Sequence, residues 1–294
     1  MLLWDGDTLA ATGSRSGSLI KYLAVDPAYQ GEDLTASVLT ALRRDAFDNG
    51  CRHLFLYTKP INRYKLQELF FYPVAQVKDA LLMEDRKDGL RQFIATLPRH
   101  TDMGTVGALV MNCDPFTRGH LHVIEQAAQS CGHVYVFVLS EDRSHFPAED
   151  RLTLVRAGTA HLTNVEVLPS GPYMISAATF PTYFLPDRDK AADISCALDV
   201  EIFGRHIAPA LGISRRFVGT EPLSPLTNRY NSALKSLLPT FGVEVTEIPR
   251  LEQGDQPISA SRVRALWDAG DLAAIEPLVP PTTYEYLKTR FQEV

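Results

Sequence analysis

The stretch from Val106 to Cys131 constrains the fold of this chain more than any other. It opens with the apolar run Val106 to Met111, which predicts a buried strand. A break at Pro115 follows, because proline disfavours helix at the residue before it, and a helical pattern then runs to a C-terminal cap expected at Gly132. The next apolar run, His133 to Leu139, predicts a second strand. In an open parallel sheet, such a strand–loop–helix–strand unit places its first loop at the ligand crevice.

The start of that helix carries chemistry suited to an anion. The tetrapeptide Thr117-Arg118-Gly119-His120 lies where free backbone N–H groups and the positive end of the helix dipole gather. Gly119 lets a phosphate approach the backbone, Thr117 supplies a hydroxyl, and His120 supplies a ring N–H for an oxygen whose charge grows during reaction. Four residues alone also fit an ordinary helix N-terminus in which His120 makes a local hydrogen bond, so both interpretations stay open on this motif.

A second helix start near the C-terminus repeats this chemistry. In the stretch Ile258 to Arg264, Ser259 is a good N-cap, Ser261 adds a second hydroxyl, and Arg264 lies one turn inside the helix. The guanidinium of Arg264 can fork onto two phosphate oxygens. Taken alone, the stretch favours the interpretation as a Ser-capped surface helix with a solvated basic face.

Together, the two stretches resemble the signatures of the nucleotidyltransferase superfamily, Thr/His-x-Gly-His and Ile-Ser-x-[ST]-x-x-[RK]. The resemblance implies a Rossmann-like domain with a parallel sheet, which binds a nucleoside triphosphate for attack at its α-phosphate. It implies that Thr117 and His120 hold the α-phosphate, while Arg264 acts with two serines on the β and γ phosphates. The ATP-binding residues that it implies are Asn112, Phe116, Gly119, Gly219, Glu221, Ile258, Ser259 and Ser261, with Gly219 and Glu221 beside the base and ribose.

Composition places limits on the other function classes. The chain has 294 residues, enough for two domains, of which 45% are hydrophobic and 22% charged. Its net charge of −6 argues against a general nucleic-acid surface, which is normally basic. No apolar run is long enough to span a bilayer, and the N-terminus lacks the pattern of a signal peptide, so we expect a cytoplasmic protein that binds neither nucleic acid nor membrane.

The four cysteines, Cys51, Cys113, Cys131 and Cys196, form no Cys-x-x-Cys pair and show no zinc-site spacing. We therefore expect reduced, structural thiols, and the sequence indicates no protein ligands for a metal. Cys113 lies inside the phosphate loop, where a reactive thiol is the alternative. A buried small residue is the favoured interpretation, because free cysteine is among the most buried residue types.

Residues 1–100 predict a separate α+β domain, with a strand over Leu19 to Val25, a helix over Leu34 to Phe47 and a further strand over Val77 to Met83. The segment Val25 to Leu34 resembles the central motif of the GNAT acyltransferase fold. Asp33 and Thr35 stand where that fold's pyrophosphate loop has small residues, and a carboxylate there repels a pyrophosphate.

The chain also begins late relative to the GNAT fold. We therefore interpret residues 1–100 as a degenerate, truncated GNAT-like domain used for packing and recognition rather than acetyl transfer, with Glu84 to Pro98 as the linker.

Residues 101–294 predict the second domain. Strands alternate with helices through it, which is typical of a parallel α/β sheet. The predicted elements after the central unit are a helix from Pro147, a strand over Val165 to Leu168, a helix over Asp199 to Leu211, a strand over Arg215 to Gly219, a helix over Tyr230 to Leu238 and a strand over Val243 to Ile248.

At a finer level, the chain resembles the citrate lyase ligase family. The resemblance rests on five strings: Met111 to His120, Thr179 to Phe184, Arg216 to Pro222, Ile248 to Arg250 and Ile258 to Arg264. It implies that ATP, acetate and the thiol form of citrate lyase give AMP, diphosphate and acetylated lyase through an acetyl-adenylate. The implied partner is the citrate lyase complex, whose acyl carrier subunit bears the thiol on a prosthetic group.

The family resemblance also implies that Mg²⁺ and Arg264 hold the leaving diphosphate. Asp114 departs from the pattern, which has asparagine there, and either makes little difference or adds repulsion beside the phosphates.

The aromatic-rich segment Tyr173 to Leu185 is a candidate docking surface for the carrier, with Tyr183 and Phe184 as its substrate or carrier residues. A loop that covers the core is an equally good interpretation of this segment.

Two other functions stay open from sequence. One is an adenylyltransferase that acts on a phosphopantetheine or a nicotinate nucleotide, which acetate dependence of diphosphate exchange distinguishes. The other is a non-catalytic assembly factor for the lyase, which failure to bind ATP would indicate.

Overall fold

The chain begins with a six-stranded mixed sheet and continues into a five-stranded parallel sheet. The computed structural model describes residues 1–140, 144–174, 190–221, 224–254 and 256–292. Contacts divide these residues into two units. The first comprises Met1–Thr96 together with the helix Ala191–Ile202, and the second comprises Leu97–Met174 and the chain from Phe203 onward. The predicted domain boundary at residue 100 did not assign this later helix to the first unit. The boundary itself stays a prediction.

The first sheet has the strand order β1-β2-β3-β4-β6-β5. The β3–β4 pair is parallel and the other pairs are antiparallel. Its strands are β1 (Leu2–Asp5), β2 (Thr8–Ser16), β3 (Leu19–Val25), β4 (Phe55–Thr58), β5 (Tyr72–Gln76) and β6 (Leu81–Glu84). The helices within Met1–Thr96 are α1 (Leu34–Asp48), α2 (Arg63–Glu68) and α3 (Gly89–Thr96). The apolar face of α1 packs on the sheet, with Val38 and Leu39 fully buried.

Sequence patterns located β3 and the start of α1 correctly, but the strand expected over Val77 to Met83 begins only at Leu81, as β6. The chain turns before it, and the Val77 N–H donates to the carbonyl of Ala80 at 2.9 Å. The polar pair Lys78-Asp79 forms the turn of a hairpin between β5 and β6. The expected linker from Glu84 to Pro98 likewise contains a helix, α3.

The second sheet is parallel throughout, with the order β11-β10-β7-β8-β9. Its strands are β7 (Val106–Met111), β8 (His133–Val138), β9 (Val165–Pro169), β10 (Ile213–Gly219) and β11 (Glu244–Ile248). This is the doubly wound Rossmann-like arrangement, so the predicted fold class is confirmed. The chain reverses its direction of travel between β7 and β10, and ligands of such sheets bind at the carboxyl ends of the strands beside that point.

The remaining helices are α4 (Arg118–Ser130), α5 (Ala148–Thr159), α6 (Ala191–Ile202), α7 (Ala208–Leu211), α8 (Pro225–Leu237), α9 (Ala260–Asp268), α10 (Leu272–Ile275) and α11 (Pro281–Gln292). The single helix expected from Asp199 to Leu211 is instead the end of α6, a π-helical turn over Phe203–Ile207 and α7. Within the described parts of the chain, no helix has the length and apolar character that crossing a membrane requires.

The strand–loop–helix–strand unit forms as predicted except at its cap. Helix α4 ends at Ser130, and Cys131 after it is extended rather than left-handed. Gly132 has a different function from the expected cap, because a Cβ there would lie 1.7 Å from the carbonyl oxygen of Met103. The glycine therefore permits close approach of two backbone segments. Burial of Ile124 and Ala127 against the sheet fixes α4, at about 1.5–3 kcal/mol for an isoleucine-sized side chain.

Candidate active site

The two predicted phosphate motifs meet in the structure. The first lies in the loop after β7 and at the start of α4, and the second at the start of α9. A Cβ at Gly119 would lie 3.0 Å from the carbonyl oxygen of Ile258, which is tighter than an ordinary contact. Gly119 thus lets the two motifs approach each other, in addition to its predicted exposure of backbone to phosphate. Two helix N-termini, each the positive end of its helix dipole, face one region, which favours an anion.

Thr117 and His120 form a reciprocal cap at the start of α4. The backbone N–H of His120 donates to Thr117 Oγ1 at 3.3 Å, and the backbone N–H of Thr117 donates to His120 Nδ1 at 3.1 Å. The Thr117 hydroxyl lies 3.0 Å from the same ring nitrogen. Thr117 is 1% exposed and its hydroxyl positions His120, while its contact with the α-phosphate stays a prediction.

This cap determines how His120 can act. A backbone N–H is always a donor, so Nδ1 must accept, and in the neutral ring the proton is on Nε2. Burial lowers the pKa of His120 to about 4, and the positive charges of Arg250 and Arg264 contribute to that lowering. At neutral pH the residue is therefore an uncharged Nε2–H donor held in one orientation.

Arg264 reaches back from α9 to the loop after β7. Its guanidinium donates to the carbonyl oxygen of Asp114 and lies 3.5 Å from the Asp114 carboxylate. About a third of the Arg264 side chain is exposed, so the group is also available to a ligand at the site. The predicted convergence of this arginine on the phosphate loop is what the structure shows, although its contact with phosphate stays a prediction.

Asp114 does not add uncompensated charge to the loop. Its carboxylate accepts from the backbone N–H groups of His145 and Phe146 at 3.0 and 2.9 Å, and it pairs with Arg264. The residue is 5% exposed and follows Cys113, whose φ is 52°. Both carboxylate oxygens are thus occupied, and the expected repulsion of phosphate is countered by the arginine.

Arg250 belongs to one of the strings that carry the family resemblance, but the sequence analysis gave it no role in the site. Its Nε donates to the carbonyl of Thr220 at 2.7 Å, its guanidinium pairs with Glu221, and its charge lowers the pKa of His120. Glu221 also accepts from the N–H of Ser224 at 3.0 Å. The Glu221 side chain is 7% exposed, so it holds Arg250 in place beside the predicted nucleotide region. The sequence feature that could have identified Arg250 as a site residue is its position just after β11, at the carboxyl edge of the sheet.

Asn112 is held in place by a buried arginine. Arg151, which has no exposed surface, donates to the Asn112 carbonyl oxygen at 2.6 Å and to its Oδ1 at 2.8 Å. Ser144 donates to the same Oδ1 at 3.1 Å. These bonds orient the amide so that its nitrogen is the group that can donate to a ligand.

Phe116 and Cys113 support the loop from the core. Phe116 is fully buried, and its ring is stacked on that of His120 with the centroids 6.1 Å apart. A side chain so placed orients His120, and the contact of Phe116 with a nucleotide stays a prediction. Cys113 is fully buried and burial raises the pKa of its thiol, which fits the favoured interpretation of an inert residue.

The hydroxyls of the second motif lie at the start of α9. Ser259 caps the helix by accepting from the backbone N–H of Arg262 at 3.2 Å, as predicted. Ser261 is exposed, and its hydroxyl donates to Ser259 Oγ at 3.3 Å. Gly219, at the end of β10, accepts from the Asn231 side chain at 2.9 Å, which fixes the strand end beside the switch point.

Tyr183 and Phe184, the predicted carrier residues, lie outside the described residues. In the first unit, β3 and β4 line a cavity of about 410 Å³ that also includes Thr35 and Lys65. The expectation that this unit does not transfer acetyl groups stays a prediction.

Known proteins resemble this chain over most of its length. A family model of the citrate lyase ligase C-terminal domain matches residues 106–287. The citrate (pro-3S)-lyase ligase of Klebsiella pneumoniae is 41% identical over 285 residues, which are 95% of this chain and 83% of that protein. The ligase of the same name from Escherichia coli strain K12 is 39% identical over 289 residues, or 96% of this chain and 82% of that protein.

Similar solved structures include pantothenate synthetase from Thermus thermophilus. It has 19% identity and a TM-score of 0.40, covering 59% of this chain and 65% of its own. Another is a bifunctional NMN adenylyltransferase/ADP ribose pyrophosphatase from Francisella tularensis. It has 16% identity and a TM-score of 0.41, covering 65% of this chain and 50% of its own.

Proposed function

Because this chain belongs to the citrate lyase ligase family, we propose that it uses ATP and acetate to acetylate the thiol of a citrate lyase acyl carrier, with release of AMP and diphosphate. The observation that carries the proposal is the orientation of His120. A neutral Nε2–H donor lies in the first turn of α4 with two guanidinium groups nearby, which is an arrangement suited to a phosphate that gains charge.

The first step forms acetyl-adenylate. An acetate oxygen attacks the α-phosphorus of ATP, a new P–O bond forms, and the bond to the bridging oxygen breaks so that diphosphate leaves. His120 donates from Nε2 to an α-phosphate oxygen as charge accumulates there. Arg264 and Arg250 add positive potential, and the hydroxyls of Ser259 and Ser261 are donors for the departing phosphates. The protein supplies positioning and electrostatics rather than a covalent intermediate of its own.

The second step transfers the acetyl group. The carrier thiolate attacks the acetyl carbonyl carbon, a thioester forms, and AMP leaves with its phosphate charge held by the same donors. The proposed partner is the acyl carrier subunit, and acetate is the second substrate. The docking role of Tyr183 and Phe184 is proposed from sequence alone, since both residues lie outside the described part of the chain.

Mg²⁺ enters this proposal as part of the Mg–ATP substrate. Magnesium is usually held by one or two carboxylates in addition to phosphate oxygens. Among the described residues of the site, the carboxylates are those of Asp114 and Glu221, and each already pairs with an arginine. They do not suit a resident magnesium site, so no step of the proposed reaction depends on one.

A cytoplasmic location is part of the proposal. Its support is that Cys51, Cys113 and Cys131 are free thiols, which suits a reducing compartment.

The decisive experiment is isotope exchange between labelled diphosphate and ATP, measured with and without acetate. We expect exchange that requires acetate and that is lost in His120→Ala. His122→Ala, two residues further along the same helix, is the matched control and should retain exchange. Exchange that proceeds equally without acetate would favour an adenylyltransferase that acts on a different substrate. Failure to bind ATP would favour a non-catalytic assembly factor.

A further inference from the structure

Three metal-binding side chains meet at the edge of the parallel sheet opposite the phosphate loop. His133 is the first residue of β8, Glu166 is the second residue of β9, and His100 lies in the segment before β7. The neighbouring strands pair in register, with Tyr135 opposite Glu166. Strand β7 has six residues, so about 20 Å of strand lies between this edge and the phosphate loop.

The distances among these groups suit one ion. His100 Nε2 lies 2.8 Å and His133 Nε2 lies 3.6 Å from the same oxygen of Glu166. One ligand atom from each residue lies within 4.8 Å of the other two. A tetrahedral zinc ion with bonds of about 2.0–2.2 Å holds its ligands roughly 3.3–3.5 Å apart. Small side-chain torsions are therefore enough to bring all three onto one centre.

His133 supplies a second and independent observation. Its side chain is only 8% exposed, and its Nε2 has no hydrogen-bond partner among the described residues. A buried polar atom without a partner is costly and uncommon in folded proteins, so this one requires an explanation.

We propose that His100, His133 and Glu166 bind a divalent transition-metal ion, for which Zn²⁺ is the best match. Two imidazole nitrogens and one carboxylate oxygen are donors that zinc accepts, whereas magnesium prefers oxygen ligands alone. Three protein ligands leave the fourth tetrahedral position for water. No sequence pattern signals this site, because its ligands are separated by 33 residues each and become neighbours only through strand order.

The proposed ion has a structural role: it stabilises the segment before β7 and takes no part in the reaction. The Tyr135 hydroxyl donates to the carbonyl of Pro98 at 3.0 Å, which already holds the chain two residues before His100 against the sheet. The rings of His100 and His133 lie with their centroids 4.3 Å apart. A bound ion would fasten the stretch that leads into β7 to the bases of β8 and β9. We therefore expect Zn²⁺ to raise the melting temperature of the protein.

The test is a zinc titration of the full chain after removal of metals by a chelator. Equilibrium dialysis should find one Zn²⁺ per wild-type chain, and Co²⁺ in its place should give the strong visible absorption of a tetrahedral site. His133→Ala and His100→Ala should each weaken binding at least about 100-fold, since losing even an outer-shell partner costs 10–100-fold. Magnesium in excess should not compete.

His161→Ala is the matched control. His161 and Glu125 form another histidine–glutamate pair at 3.3 Å, but their side chains are 55% and 37% exposed and no third ligand joins them in the described residues. Wild-type zinc affinity in this variant, with loss in His133→Ala, supports the proposal. Equal affinity in wild type and His133→Ala, or no zinc-induced rise in melting temperature of the wild type, would overturn it.

If His133→Ala does not fold, Glu166→Gln serves instead. It keeps a side chain that can hydrogen-bond to His100 but removes the carboxylate charge. Unchanged zinc binding in a folded Glu166→Gln protein would also overturn the proposal.

Discussion

Whether His120 acts as a neutral hydrogen-bond donor or as a general acid can be decided by pH. The structure favours the neutral donor, because Nδ1 accepts from the Thr117 backbone and the pKa of the ring is about 4. A general acid would need the imidazolium, which this environment disfavours through burial and through Arg250 and Arg264. The perturbations are a pH series on wild type and the substitution His120→Ala.

The expected magnitudes follow from that pKa of about 4. At pH 7 the neutral ring outnumbers the charged ring by about a thousand to one, and at pH 5 by about ten to one. The kcat/KM for adenylation should therefore change by only about 10% between pH 7 and pH 5 on account of this residue. His120→Ala should lower turnover by about 10²–10³, which is the usual effect of removing one transition-state donor and corresponds to about 2.7–4 kcal/mol.

The assay is acetate-dependent diphosphate–ATP exchange at constant ionic strength from pH 5 to pH 8, reported as kcat/KM because that quantity reflects the free enzyme. His122→Ala serves as the control for loss of a histidine from α4. If His120 were a general acid, kcat/KM for the wild type would rise tenfold for each unit by which the pH falls. Such a rise in the wild type that is absent from His120→Ala would refute the neutral-donor assignment. Near-normal turnover in His120→Ala would remove the residue from the mechanism altogether.

Four further outcomes are expected. Arg264→Ala should weaken ATP binding at least about tenfold in a nucleotide titration, and Arg264→Lys should restore only part of it because the guanidinium fork is lost. Asp114→Asn should lower the free energy of unfolding in urea by about 1–3 kcal/mol, because one of two buried backbone N–H donors loses its acceptor. The depressed pKa of His120 means that the unfolded chain takes up a proton below about pH 6.5, where the folded chain does not. Stability should therefore fall by up to about 3 kcal/mol between pH 6.5 and pH 4, and His120→Ala should reduce that slope. The full chain should not transfer acetyl groups from acetyl-CoA to amines, given Asp33 in the loop before α1; measurable transfer would show the opposite.

Sequence predicted the local parts of this molecule well. An uninterrupted apolar run predicted β7 with its observed bounds, and a serine before a periodic segment predicted the cap of α9. These features depend on interactions within a few residues, which a sequence displays directly. The hairpin between β5 and β6 was missed for a different reason. The apolar residues on both sides of Lys78-Asp79 read as one continuous strand, although the chain turns there.

The chemistry of the site could be predicted only as far as its residue types. Thr117 and Phe116 were predicted to contact the nucleotide, and the structure adds that both are buried and lie against His120. The tautomer of His120 follows from a single backbone hydrogen bond that no pattern reveals. A motif therefore indicates which groups take part in a site, while burial decides which of them can reach a ligand.

Asp114 shows why charge in particular resists prediction from sequence. As a neighbour of the phosphate motif it suggested repulsion, because a sequence shows only the residues beside it. The residue that compensates it, Arg264, lies 150 positions away and arrives through the packing of α9 against the loop. Burial, Arg250 and the same Arg264 lower the pKa of His120, so the arginine of one long-range contact acts on two groups in the site. The electrostatic potential at the phosphate loop thus depends on groups from both helix N-termini, which only the folded sheet brings together. A substitution in either motif should therefore change the electrostatics of the other.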